Sequence, residues 1–259
     1  MFRLIGVIHL PPLPGSPRSK LSLARIAESV KADALALRRA RYDAVIVENF
    51  GDAPFLPGPV EPVTVAAMTV CVGAAAATGL PVGVNVLRND VKSALAIAVA
   101  TGSAFVRVNV HVGAVVADQG LIEGRAHETL RLRRLWGAES VRILADVDVK
   151  HAAPLAPRPV GDVVKDTLLR GLADGVIVTG AATGAKVDAK ALRATADAAA
   201  GAPVLVGSGA TPEDLARLCE AGATGVIVGS WLRRGGRAGG PVDATRARAF
   251  AAAFRRAFS

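Results

Sequence analysis

Eight short runs rich in Val and Ile, each followed by a stretch of helical composition, constrain this chain more than any other feature. The runs are LIGVIHL, DAVIVEN, PVGVNV, AFVRVNVHV, RILADVDVK, DGVIVTG, APVLVGSG and TGVIVGS. The helical stretches run from Leu21 to Ala40, Val63 to Thr78, Val91 to Thr101, Ala126 to Gly137, Val160 to Gly171, Asp188 to Ala200, Pro212 to Ala221 and Asp243 to Phe258. Gly79, Gly102, Gly137, Gly171, Gly201 and Gly222 each follow one of these stretches, where a helix stop wants a residue that accepts positive φ. Thr211-Pro212-Glu213-Asp214 reads as an N-cap followed by Pro and acids in a first helical turn. Strands that follow one another through helices pair in parallel. About eight such units over ~250 residues describe an α/β protein of the (β/α)8 TIM-barrel class. A doubly wound open sheet uses the same alternation with fewer strands. No linker, low-complexity segment or composition break divides the chain, so residues 1–259 read as a single domain.

A barrel sorts each strand into two faces. Outward residues pack on helices and must be apolar, whereas inward residues near the strand C-terminus line an open mouth. In RILADVDVK, Val147 and Val149 then face the helices, and Asp146, Asp148 and Lys150 climb inside toward the mouth. In FVRVNVHV the valines share one face, and Arg107, Asn109 and His111 share the other. Asn85 is the inward residue of VGVNV, Glu48 and Asn49 end the second strand, and His9 ends the first. Buried charges are costly unless paired. Arg107 and Asp146, deeper in the barrel, fit a satisfied polar core, and Asp148, Lys150 and His111 fit a site.

The core is mostly aliphatic, since hydrophobic residues make up 51% of the chain and aromatics only 4%. Formal net charge is +9, but the arginines are spread over ALRRARYD, RLRRL, SWLRRGGR and ATRARAFAAAFRRAF rather than gathered in one block. That pattern fits solvated helix surfaces and no specific nucleic-acid partner. The last stretch is basic and amphipathic, which leaves room for a weak peripheral membrane contact. Cys71 and Cys219 are too few for a disulfide framework or a metal knuckle. No apolar stretch reaches the ~20 residues that span a bilayer. A cytoplasmic protein, with the N-terminal run a strand and not a signal peptide, is the expectation.

VLVGSGATPED and GVIVGSWL each end a strand and open a helical turn. Backbone amides of Gly207, Ser208, Gly209, Gly229 and Ser230 are placed to converge on one anion, since glycine admits close approach and helix starts favour negative charge. Phosphate sites of this fold lie at these last two loops. TGAATGAK resembles a nucleotide-binding P-loop but fails it. Three residues instead of four separate Gly180 from Gly184, and Val187 follows Lys186. The stretch, with Thr179 and Gly180, reads instead as wrapping a ligand's polar end. No His, Asp and Glu set has metal-ligand spacing, so neither metal nor cofactor is expected.

IGVIHLPPLPGSP, VIVENFGDAPF, VNVLRND, DQGLIEG, ILADVDVKHA, TGAATG and VLVGSGATPE…GVIVGSWLR together resemble the BtpA family, also called BtpA/SgcQ, over essentially the whole chain. The resemblance implies a TIM barrel of the ribulose-phosphate-binding kind and brings no agreed reaction. The family takes its name from photosystem I biogenesis.

The residues favour an enzyme acting on a small phosphorylated metabolite, a sugar phosphate or phosphoribosyl compound, by isomerase or aldolase/lyase chemistry. Asp148 would move a proton, Asp146 would tune it, and Lys150 would carry developing negative charge. Glu48 and His9 are the next proton carriers. Asn85, Asn109, His111, Thr179 and Gly180 would bind substrate, and a homo-oligomer is expected. The long segments HLPPLPGSPRSK, NFGDAPFLPGPVEP and HVGAVVADQGLIEG are placed to act as lids. The alternative is a non-catalytic assembly or regulatory factor of the photosystem I biogenesis type that binds a partner protein or a metabolite.

Overall fold

The computed structural model describes residues 2–148, 151–180 and 185–259, with Asp148 described by its backbone only. Eight parallel strands close on themselves: β1 (Leu4–His9), β2 (Ala44–Glu48), β3 (Val82–Asn85), β4 (Phe105–Val108), β7 (Arg142–Asp148), β9 (Gly175–Val178), β10 (Val204–Val206) and β11 (Gly225–Val228). Three short strands, β5 (Ala114–Ala117), β6 (Gly120–Glu123) and β8 (Ala152–Pro154), form a separate antiparallel sheet in the order β6-β5-β8. The helices are α1 (Leu23–Arg39), α2 (Pro62–Ala76), α3 (Val91–Thr101), α4 (Ala126–Leu135), α5 (Val160–Lys165), α6 (Ala189–Ala198), α7 (Leu215–Glu220) and α8 (Ala244–Ala257). The chain is therefore a (β/α)8 barrel, and the segment HVGAVVADQGLIEG, expected as an open loop, is largely the β5–β6 hairpin.

Alternation sets the two cores. Leu4, Ile8, Val45, Val47, Val106, Val108, Ile143 and Ala145 pack outward on the helices. Ile5, Val7, Ala44, Ile46, Phe105, Leu144, Ile177, Leu205 and Ile227 fill the barrel interior. Gly83 makes room for the largest of these, because a Cβ there would collide with the Phe105 ring. Gly6 does the same on the outer face, where Leu37 of α1 sits on the strand with a methyl 2.7 Å from the missing Cβ.

The helix ends follow local chemistry. Ser22, Asp90, Asp188 and Asp243 cap α1, α3, α6 and α8 with side-chain acceptors. Gly79, Gly102, Gly137, Gly201 and Gly222 take positive φ as expected, but Gly171 does not. Its φ is −79°, and the positive φ falls on Leu172 at 52°. Gly171 is needed for another reason. A Cβ there would lie 2.8 Å from the Thr167 carbonyl oxygen and 3.0 Å from the His111 ring. The Thr211–Asp214 segment also departs from expectation, since α7 begins only at Leu215 after a turn. There Thr211 donates its hydroxyl to Asp214.

The amphipathic C-terminal stretch is spent on the barrel. In α8, Ala247, Phe250, Ala251, Ala253 and Phe254 are buried, so its apolar face packs on the barrel. No helix among the described residues is long and apolar enough to cross a membrane. Cys71 is buried in α2, and burial pushes its thiol up to about 12.

Candidate functional site

One further step of alternation beyond the apolar interior builds the mouth. The next inward positions are His9, Glu48, Asn85, Arg107, Asp146, Thr179, Gly207 and Gly229, one from each barrel strand. Six strands thus bring side chains, and β10 and β11 bring none.

The side-chain part is a buried network. Arg107 is 3% exposed and clasps Asp146 with Nε and Nη2 at 3.1 and 3.0 Å. Asn109 donates to the same carboxylate at 3.0 Å, and Asn85 donates to the Asn109 side chain and the Arg107 carbonyl. Burial works against the Arg107 charge, but Asp146 and then Glu48 outweigh it and raise its pKa. Asp146 has both oxygens engaged, which suits a positioning residue. Burial likewise lowers the pKa of Arg88, buried beyond β3, against the pull of Asp146.

Glu48 differs from Asp146. Its nearest cation is Arg107 Nη1 at 3.7 Å, beyond hydrogen-bond range. Among the described residues neither the Glu48 carboxylate nor that Nη1 makes a hydrogen bond, and the buried Oδ1 of Asn85 also has no donor. His9 accepts the Gly239 amide on Nδ1 at 3.2 Å, which makes Nε2 the protonated nitrogen, and its ring lies on Phe50 at 4.5 Å.

Opposite these groups the wall is backbone. Val7, His9, Glu48, Arg107, residues 207–211 and Ile227–Trp231 enclose a cavity of about 120 Å³. The Gly207 amide is spent on the Val178 carbonyl at 2.8 Å, so contrary to expectation it is not an anion donor. What Gly207 contributes is space, since a Cβ would sit 2.5 Å from Ile177. Among the described residues the amides of Ser208, Gly209 and Ser230 donate to no other group. Gly209 has φ +68°, and the Ala185 carbonyl occupies the place of a side chain. The Gly180 amide donates to Ser208 Oγ at 2.8 Å and so braces the loop instead of meeting a ligand. Thr179 is buried beside it.

Beneath Gly229 lies Arg233, which composition assigns to a basic surface and the fold buries to 2% exposure. It donates to the Gly229 carbonyl at 2.7 Å and the Val7 carbonyl at 2.8 Å, across the seam between β11 and β1. Burial pulls its pKa down to about 10, with Asp33 opposing.

His111 is not brought to this cavity. It is buried and donates Nε2–H to the Gly171 carbonyl at 2.8 Å, beside a separate surface depression. Burial lowers its pKa, which fits the neutral ring. The side chain of Asp148, and Val149 and Lys150 entirely, lie outside the described residues, as do positions 181–184 of TGAATGAK. The backbone adds one fact. A β-bulge lies between Asp146 and Asp148 in the pairing of β7 with β9. No group of three or more His, Cys, Asp or Glu among the described residues is arranged to hold a metal ion. Two residues escaped the sequence reading of the site. Arg107 carried the signal, being inward on its strand; Arg233 carried none.

Residues 2–256 match the BtpA family. The chain is 48% identical over 248 residues to the photosystem I biogenesis protein BtpA of Synechocystis, covering 95% of this chain and 86% of that one. Among solved structures it is similar to N-(5'-phosphoribosyl)anthranilate isomerase from Pyrococcus furiosus, at TM-score 0.59 and 13% identity over 98% of this chain and 99% of the other. It is similar also to thiamine phosphate pyrophosphorylase from the same organism, at TM-score 0.60 and 12% identity over 99% and 97%. At these identities the likeness is one of fold.

Proposed function

We propose that this chain, which belongs to the BtpA family, is an enzyme acting on a small phosphorylated metabolite, by isomerase or aldolase/lyase chemistry at the barrel mouth. One observation carries the reading. A single cavity is walled on one side by the unengaged amides of Ser208, Gly209 and Ser230, in loops whose glycines leave the backbone open, and on the other by Glu48, Arg107 and His9. Amides of that kind suit phosphate oxygens, and glycine allows the approach. Acid–base groups across a small cavity suit proton transfer on the rest of the molecule.

Titration with glycerol 3-phosphate followed by ³¹P NMR tests this. Saturable binding is expected, weakened by more than tenfold in Ser230→Glu, whose carboxylate would stand among the amides. A ligand-independent spectrum up to millimolar concentration removes the phosphate reading.

The similarity to the Synechocystis protein favours a second reading, an assembly or regulatory factor. Ser230→Glu again separates them. If that variant fully replaces the Synechocystis protein in a strain lacking it while a change of exposed Arg131 does not, partner binding at the surface is the function.

A further inference from the structure

We infer that Glu48 is the proton-transfer residue and Arg107 the oxyanion donor for an α-hydroxycarbonyl phosphate, an inference that rests on the phosphate reading above. Burial of a carboxylate without a hydrogen bond is costly, and native interiors avoid it. Glu48 is 5% exposed, and its carboxylate, which lines the cavity, has none among the described residues. The neighbouring guanidinium is equally unfinished on one side. Asp146 holds Nε and Nη2, so Arg107 cannot turn, and Nη1 is left pointing a fixed donor at the cavity that Glu48 also lines. A preorganised donor beside an unengaged carboxylate is the arrangement that stabilises charge developing on an oxygen while a proton leaves the adjacent carbon.

The other titratable groups of the mouth are weaker candidates. Asp146 spends both oxygens, and Nδ1 of His9 is taken by the Gly239 amide, leaving His9 only a donor. The unengaged amides of Ser208, Gly209 and Ser230 line the same cavity, so the phosphate sits a few bonds from the reacting carbons.

The step balances without a co-reactant. Glu48 takes the proton from the carbon bearing the hydroxyl, and the C–H electron pair becomes the C=C bond of an enediolate. The carbonyl π pair moves to oxygen, where Arg107 Nη1 holds it. Return of the proton to the same carbon restores the substrate. Passage of the hydroxyl proton to the oxyanion, followed by return of the carbon proton to the neighbouring carbon, gives the isomer.

Dihydroxyacetone phosphate in D₂O is the probe, with ¹H NMR reading exchange at the hydroxymethyl carbon and ³¹P NMR reading binding in the same samples. The wild-type protein is expected to bind and to incorporate deuterium. Glu48→Gln should slow exchange by about 10²-fold or more with binding unchanged, and Glu48→Asp should recover part of the rate. Wild-type binding without exchange overturns the inference, as does exchange at the wild-type rate in Glu48→Gln; both leave the phosphate reading standing. Absence of ³¹P-detected binding in the wild type removes the phosphate reading and this inference with it.

Discussion

At the scale of single residues the mouth contains two kinds of acid. Asp146 is bound on both oxygens and keeps Arg107 in place; the Glu48 carboxylate, among the described residues, is bound by neither backbone nor side-chain donors. Removing Asp146 would strand a buried cation. Asp146→Ala should therefore destabilise the fold by about 3–5 kcal/mol in urea melts. A loss under about 1 kcal/mol would mean the guanidinium is hydrated in solution, as for exposed pairs. The alternation of FVRVNVHV and VGVNV was enough to bring Arg107, Asn109 and Asn85 together from sequence. It could not say which acid would be satisfied, because that depends on neighbours several strands apart.

Among the elements, β7 and the end of α5 show where periodicity runs out. Strand alternation is a local rule, and the bulge between Asp146 and Asp148 adds a residue against β9, which no count along one strand can foresee. The α5 region fails differently. Glycine at 171 looks like a helix stop, but its small size serves contact with Thr167 and His111, and Leu172 takes the left-handed turn. Leu172 is 55% exposed, so little packing is lost on truncation. Leu172→Gly should stabilise by up to about 1 kcal/mol in thermal melts, relief of Cβ strain exceeding the entropy cost; a destabilised variant would show that the leucine packs in solution. His111 ties β4's extension to this region as a neutral ring. Its pKa is depressed from 6.5 by burial, Arg133 adding to that effect and the Gly171 carbonyl and Asp174 opposing it. The unfolded chain then takes up the proton first, so the stability due to His111 is intact above about pH 6.5 and is lost as pH falls through the lower folded value. Melts from pH 5 to 8 should show that acid loss in the wild type and not in His111→Gln. Identical slopes would assign the loss to other groups.

For the whole molecule, closure is the central fact. The eight barrel strands and the outward valines at 84, 106, 108 and 147 were legible in composition and period, because outer positions face helices all round and tolerate only apolar side chains. The seam was not legible. Arg233 joins Val7 on the first strand to Gly229 after the last, and Asp33 stands near it as its counter-charge. Arg233→Met should cost about 3–5 kcal/mol by leaving Asp33 buried without that charge, and should also weaken ³¹P-detected phosphate binding because Gly229 is no longer held. Stability loss with unaltered binding would separate the seam from the site. Part of the remaining positive charge sits where helices end, at Arg38 and Arg39, Arg133 and Arg134, and Arg255 and Arg256, where it meets the carboxyl-terminal dipole.

The mouth's division into a side-chain half and a backbone half also decides what genetics can see. Alanine scanning deletes side chains, and Gly207, Gly209 and Gly229 have none to delete. A library of truncations would map Glu48, Arg107 and His9, reach the Ser208 hydroxyl that braces the loop, and leave the three glycines and the backbone amides unread. Only variants that add atoms reach the glycines, and they do so unequally. A methyl at Gly229 meets the edge of the His9 ring at 3.0 Å, which a small ring movement can relieve, whereas one at Gly209 meets the Ala185 backbone. Graded insertion of bulk, Gly to Ala to Val at 229, is thus the screen that would reveal this wall, with a ligand-dependent phenotype growing as the added group grows.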